Sequence, residues 1–138
     1  MELKQILSWL SGFPGFAGYQ WELDCQPHKP NLATLTSQGV RLSDSIEDLL
    51  GNRKDTMKLT CTLAFSGNDK AQTLVDLQHW VARENALGLC PQLGQGRKLA
   101  LLSDGKRLME NKLGLFLYTA QLTLTYELFY EVNENGEN

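Results

Sequence analysis

With only two histidines in 138 residues, the chain has little material for acid/base or metal chemistry. His28 lies between prolines in a stretch that reads as a loop, and His79 sits beside the apolar stripe of a helix, where a solvent-facing place is expected. There is no GxSxG motif and no local serine, histidine and aspartate signature, so nucleophilic catalysis has no anchor. Cysteine is sparse too: Cys25, Cys61 and Cys90 are odd in number, lie far apart and show no metal-ligand spacing. They read as reduced, mostly buried thiols, and Cys61 falls on the apolar side of an alternating strand. The chain lacks a run of about 18 apolar residues and a basic-then-apolar N-terminus, so it is expected to be made and kept in a cytoplasm, with no membrane partner. A formal charge of −3 supplies no broad basic field, which argues against specific binding of DNA or RNA. No internal repeat is visible.

What is present is alternation. In Leu115 to Tyr130, the residues Phe116, Tyr118, Ala120, Leu122, Leu124, Tyr126, Leu128 and Tyr130 fall on one side, and Thr119, Gln121, Thr123, Thr125 and Glu127 on the other. At about 3.3 Å per residue this strand could reach roughly 50 Å, so it is expected to extend past its own sheet and invite a neighbour. Tyr19 to Cys25 and Thr56 to Phe65 alternate in the same way, the latter after a polar turn over residues 51–55. Leu3, Ile6, Leu7 and Leu10 predict a helix over residues 2–11, with Gly12 as a left-handed cap. A second helix is predicted from Lys70 to Leu87, capped by Asn68 or Asp69, carrying Leu74, Leu77, Trp80 and Val81 on one stripe and closed by Gly88. Residues 31–50 read as strand, although Ser43 to Gly51 could also cap a helical turn. Lys98 to Ser103 reads as strand, followed by a turn at Asp104-Gly105 and extended chain from Lys106 to Asn111.

This order predicts a single α+β domain over residues 1–132, a mostly antiparallel sheet with its helices on one face, and an acidic tail over 133–138 that frays into solvent. The threonine-rich strand face suits a subunit contact as well as water. Three other features read as ordinary structure. Gly94-Gln-Gly-Arg-Lys98 lacks the GK[ST] ending and the third glycine of a phosphate-binding loop, and precedes a strand instead of a helix. The carboxylates of Asp44, Glu47 and Asp48 mark a solvated element or a subunit contact, with no metal assigned. Trp9, Trp21 and Trp80 fit core or interface anchors better than base-stacking platforms. No cofactor is expected.

The helix with Trp80, then Glu84-Asn85-Ala-Leu-Gly88, the loop Pro91-Gln-Leu-Gly-Gln-Gly96, the strand Leu99-Ala-Leu-Leu-Ser103 and the closing strand with Tyr126 resemble the minor capsid proteins of tailed bacteriophages and prophages in the tail-terminator or tail-completion group, which join head to tail. The strand from Thr56 to Phe65 and the N-terminal helix followed by Trp21-Glu-Leu-Asp24 match the same plan, so the likeness covers most of the chain. Its motifs are diffuse, and residues 31–50 depart most from it. The resemblance implies a tail-terminator-like fold and a structural, non-enzymatic role in virion assembly. Such proteins form an oligomeric ring, commonly a hexamer, that stops growth of the tail tube and meets the head-side connector. The implied partners are further copies of the chain, the tail-tube protein and the connector, in the virion and, during assembly, the bacterial cytoplasm. A net negative subunit would also avoid trapping DNA passing through the ring. Arg53 and Lys54 on a turn, with Lys106, Arg107, Glu110 and Lys112 on a hairpin, are the expected subunit or tube contacts. The alternative is a small ligand-binding domain or enzyme with its pocket under the 91–96 loop.

Overall fold

The computed structural model describes residues 2–67, 71–96, 98–103, 106–107 and 116–132. Helix α1 (Glu2–Leu10) turns Leu3, Ile6 and Leu10 inward. Gly12 does not take the left-handed cap its position suggested, because its φ is not positive. The chain tightens instead: Gly12 N–H donates to Trp9 O (3.1 Å) and Phe13 N–H to Leu10 O (3.0 Å), which leads into a 3-10 turn at Pro14–Phe16. Helix α2 (Ala71–Leu87) does end on its glycine. Gly88 has φ 70°, and the Leu89 and Gly88 amides return to the carbonyls of Glu84 (2.9 Å) and Asn85 (3.1 Å), satisfying the orphan acceptors of the last turn. The Asn68 or Asp69 cap, the turn at Asp104-Gly105, the extended chain beyond Arg107 and the tail after Val132 lie outside the described residues.

The strands are β1 (Gln20–Leu23), β2 (Leu32–Glu47), β3 (Arg53–Gly67), β4 (Lys98–Leu102), β5 (Lys106–Arg107) and β6 (Phe116–Tyr130). They form one sheet in the order β1-β2-β3-β6-β4, with β5 also on β6. Every contact is antiparallel except β1 with β2, so the domain is α+β with a mostly antiparallel sheet, as the alternation predicted. Of the predicted strand over residues 31–50, Leu32–Glu47 is strand while 48–50 turn the chain, and no helix forms there. The short crossover over residues 24–31, which joins two parallel strands, turns on an aspartate and an asparagine in the left-handed region, Asp24 (φ 58°) and Asn31 (φ 54°), which tolerate it better than other non-glycine side chains.

One expectation fails in an instructive way. β6 does not overreach: it pairs with β3 along its whole length, from Phe116↔Gly67 to Tyr130↔Arg53. Its length is matched by β3 because both continue into a long arm. Among the described residues, β2 is the long strand left open on one side, since β1 accompanies it only from Leu32 to Leu35.

Both helices cover one face of the sheet. Leu35, Cys61, Leu63 and Leu122 meet Ile6, Leu10, Leu77 and Val81 there, and Phe16, Phe65 and Tyr118 build an aromatic centre. Trp9 and Trp80 join the two helices with rings 5.1 Å apart, and Trp9 Nε1 donates to Glu84 Oε1 (3.1 Å), so these tryptophans are structural anchors. Burial pushes the Cys61 thiol from its ordinary 9.0 up to about 11. The folded state therefore favours the protonated thiol, a preference intact below pH 9 and lost as pH rises through about 11. In native protein at pH 8, Cys61 should resist alkylation and become reactive only in urea, and unfolding midpoints should fall between pH 9 and 11. Labelling of native Cys61 at the rate of a free thiol would contradict this packing.

Candidate functional site

The two edges of the sheet are treated differently. At β4, the Asn85 side chain takes the place of a neighbouring strand: Ala100 N–H donates to Asn85 Oδ1 (2.8 Å), and Asn85 Nδ2 donates to the Ala100 carbonyl. Gln78 Nε2 adds a bond to Ser103 O (3.2 Å). Just beyond β4, the 94–96 segment lies along β6, where Gln95 N–H donates to Glu127 O (2.8 Å) and Gln95 Oε1 accepts from Phe129 N–H (2.6 Å). The glycines of this loop thus serve close backbone approach, because a Cβ on Gly94 would enter the Glu127 carbonyl. The depression on the loop's other flank, about 490 Å³, is lined by Lys4, Trp9, Leu89 and Pro91 among others.

At the opposite edge nothing covers β2 from Thr36 to Glu47 among the described residues, and this stretch is exposed beyond Thr36. Register shifts at Ser37/Gly39 and Leu42/Asp44 bend it, a device that discourages indiscriminate strand pairing. Val40 and Leu42 share the helix side with Leu59 and Met57 but extend beyond the helices and stay exposed.

Among the described residues, the face away from the helices is covered at one end only, by the 24–31 crossover, where Ser66 Oγ donates to Lys29 O. A cleft of about 420 Å³ remains between Asp24, Cys25 and Gln26 of that crossover and Thr34, Thr36 and Thr62 of the sheet. The cysteine here is poorly suited to nucleophilic attack: Cys25 Sγ donates to Glu22 Oε2 (3.1 Å), and this bond, then burial, holds the thiol protonated above its ordinary range. Glu22 also binds the exposed His28 (3.1 Å), and its carboxyl is lowered first by Cys25 and then by His28. His79 is exposed on α2.

Beyond the cleft the face is open, and the register gives its rows. Thr36, Thr62 and Gln121 form one; Gly39, Thr60, Thr123 and Leu101 the next; Arg41, Lys58, Thr125 and Leu99 the third; Asp44, Thr56 and Glu127 the fourth. Arg41 and Lys58 are cations placed directly opposite each other, an arrangement that costs about 0.2–1 kcal/mol relative to a neutral pair, and neither has a carboxylate within salt-bridge distance among the described residues.

The arm ends in a rigid turn. Asp48 Oδ1 accepts from Leu50 N–H (2.8 Å) and Asn52 N–H (3.0 Å), its Oδ2 accepts from Asn52 Nδ2 (3.0 Å), and Gly51 takes φ 91°. The Asn52 side chain foremost holds the Asp48 carboxyl below its ordinary range. Asn52 Oδ1 also accepts from Val132 N–H (2.9 Å), tying the turn to the end of β6. This frame presents two leucines wholly to solvent, Leu49 at 106% and Leu50 at 78% relative exposure.

The expected contact residues do not form one patch. Arg53 and Lys54 stand at the base of the tip, each engaged within the chain: Arg53 Nε with Asp55 Oδ1 (3.2 Å) and over the Tyr130 ring (4.7 Å), Lys54 Nζ with Glu127 Oε2 (3.3 Å). Lys106 and Arg107 belong to β5, opposite Thr119 and Tyr118, while Lys54 lies opposite Phe129, roughly 33 Å away along β6 at the usual strand rise. Glu110 and Lys112 lie outside the described residues. Sequence reasoning passed over Arg41, Lys58, Leu49 and Leu50; adjacent leucines inside a polar turn were the available signal.

Among the described residues, no three His, Cys, Asp or Glu side chains gather as metal ligands, and no helix is long and apolar enough to cross a membrane. No protein-family model matches the chain, and a search of curated proteins finds no match.

Proposed function

We propose that this chain is a structural virion-assembly protein of a tailed bacteriophage or prophage, a tail terminator that forms an oligomeric ring, caps the tail tube and joins it to the head connector. The observation that carries the reading is the asymmetry of the sheet: its β4 edge is closed by Asn85, while β2 from Thr36 to Glu47, the open threonine face and the Leu49-Leu50 tip are left free. An exposed strand edge and an apolar tip on separate parts of one subunit suit head-to-tail contacts, which close into a ring when the rotation between subunits permits. Capping a tube this way needs contact surfaces and no chemical step. The viral setting comes from the resemblance of the helix, loop and strand pattern in the sequence to tail-terminator proteins.

Polymerising a phage tail-tube protein from the same genome, with and without this chain, tests the reading. Rings at one end of the tubes and arrested growth in electron micrographs are expected. Tubes that lengthen equally in both cases, with this chain unbound, would overturn it.

A further inference from the structure

We propose that the hairpin tip of one copy docks on the open sheet face of the next copy. The inference rests on the ring-forming reading above and supplies that ring with its contact. The tip carries Glu47, Asp48, Leu49 and Leu50 in sequence, acidic then apolar. The face offers the reverse chemistry across its rows: the cations Arg41 and Lys58 towards the β2 edge, threonines in the middle, and Leu99 and Leu101 on β4 at the far side. At about 4.8 Å between strands, β2 and β4 stand roughly 14 Å apart, so the tight turn meets both ends of a row through its side chains, Glu47 towards the cations and the leucines towards β4.

Three features make the match specific to this pair of surfaces. Leu49 and Leu50 are left at 106% and 78% exposure, and among the described residues Leu101, at 56%, is the most open apolar side chain on the sheet face. The like-charged pair Arg41 and Lys58 is unfavourable in the isolated subunit and becomes favourable once a carboxylate lies over it. Gly39, with φ 107° and no side chain, leaves a gap in the row beside Thr60 through which a neighbouring backbone can approach. The tip cannot reach its own face, because it continues the same strands in the same plane. Two different surfaces are thus complementary, and their union propagates round an axis. The contact area is small, so association should be concentration-dependent, and its charged part should weaken as salt rises.

Light scattering on four samples tests this: wild type, a tip variant (Leu49→Ser with Leu50→Ser), a face variant (Arg41→Glu with Lys58→Glu), and an equimolar mixture of the two variants. The face variant replaces one like-charged pair by another, so its fold should carry a similar cost; should it fail to fold, Arg41→Gln with Lys58→Gln takes its place. Wild type should form oligomers, and each variant alone should need roughly thirtyfold more protein to associate. The mixture should give a dimer that grows no further, since the intact tip of one variant fits the intact face of the other and the remaining surfaces are dead. If either variant assembles as wild type does, or both fail alone and the mixture stays monomeric, the docking is overturned while the ring reading stands. If wild type is monomeric at every concentration, both fall.

Discussion

Replacing Phe65 by alanine is expected to lower the free energy of unfolding by about 3–5 kcal/mol, a large part of the roughly 5–15 kcal/mol available to a domain. Phe65 is fully buried on β3, stacked on Tyr118 at 5.3 Å, and meets Phe16 edge-on at 5.2 Å. Its aromatic partners come from three places: Phe16 in the 3-10 turn, Tyr19 just before β1 and Tyr118 on β6. Each is held by its own backbone bonds, so the site cannot collapse to fill the space, and the cavity adds to the lost transfer energy. The urea midpoint should fall while the slope stays near that of wild type. Leu49→Ser at the exposed tip, by contrast, should change stability by no more than about 0.5 kcal/mol. A Phe65→Ala protein as stable as wild type would mean that the aromatic centre is not packed as described.

Gly94→Val should be the most damaging change in the loops, with a cost of about 1–3 kcal/mol or more. The difficulty is space, since Gly94 is not among the glycines with positive φ. A Cβ there would run into the Glu127 carbonyl and come within 3.0 Å of Tyr126 Cδ2. Glu127 cannot retreat, because that stretch of β6 is paired with Thr56 on β3 and its neighbour Tyr126 with Lys98 on β4. The loop must leave instead, breaking the Gln95 bonds to Glu127 and Phe129. Faster amide exchange at Gln95 and Phe129 together with a lowered urea midpoint is the expected signature. An unchanged midpoint would show that the loop does not lie on the strand. Valine in place of Gly88 probes something else, a left-handed cap with open space around it, so any penalty there comes from backbone strain.

Period-two alternation made β3 and β6 legible from sequence, because each strand buries one face against the helices along most of its length. β2 was harder for a physical reason. Its register shifts at Ser37/Gly39 and Leu42/Asp44 reset the phase, so that Leu35, Val40 and Leu42 share a side although their spacing fits no single period. The left-handed cap assigned to Gly12 failed because the chain after α1 turns at once into a 3-10 helix, a choice governed by the packing of Phe13 and Phe16. The apparent overhang of β6 was a statement about length alone. Which strand lies beside it is non-local, and only the pairing shows that β2 has the open flank. The same limit applies to the contact residues: Arg53 and Lys106 look equivalent as charges in turns, and only the register places them at opposite ends of the sheet.

The central claim is that the open β2 edge, the threonine face and the leucine tip are covered by a second copy of the chain. Amide hydrogen exchange, compared between dilute and concentrated protein, tests it most directly. Protection should rise with concentration over residues 36–52 and on the Leu99 to Leu101 stretch of β4 that receives the leucines, while α1 and α2, on the opposite face, stay unchanged. Identical exchange along β2 at both concentrations would contradict the account.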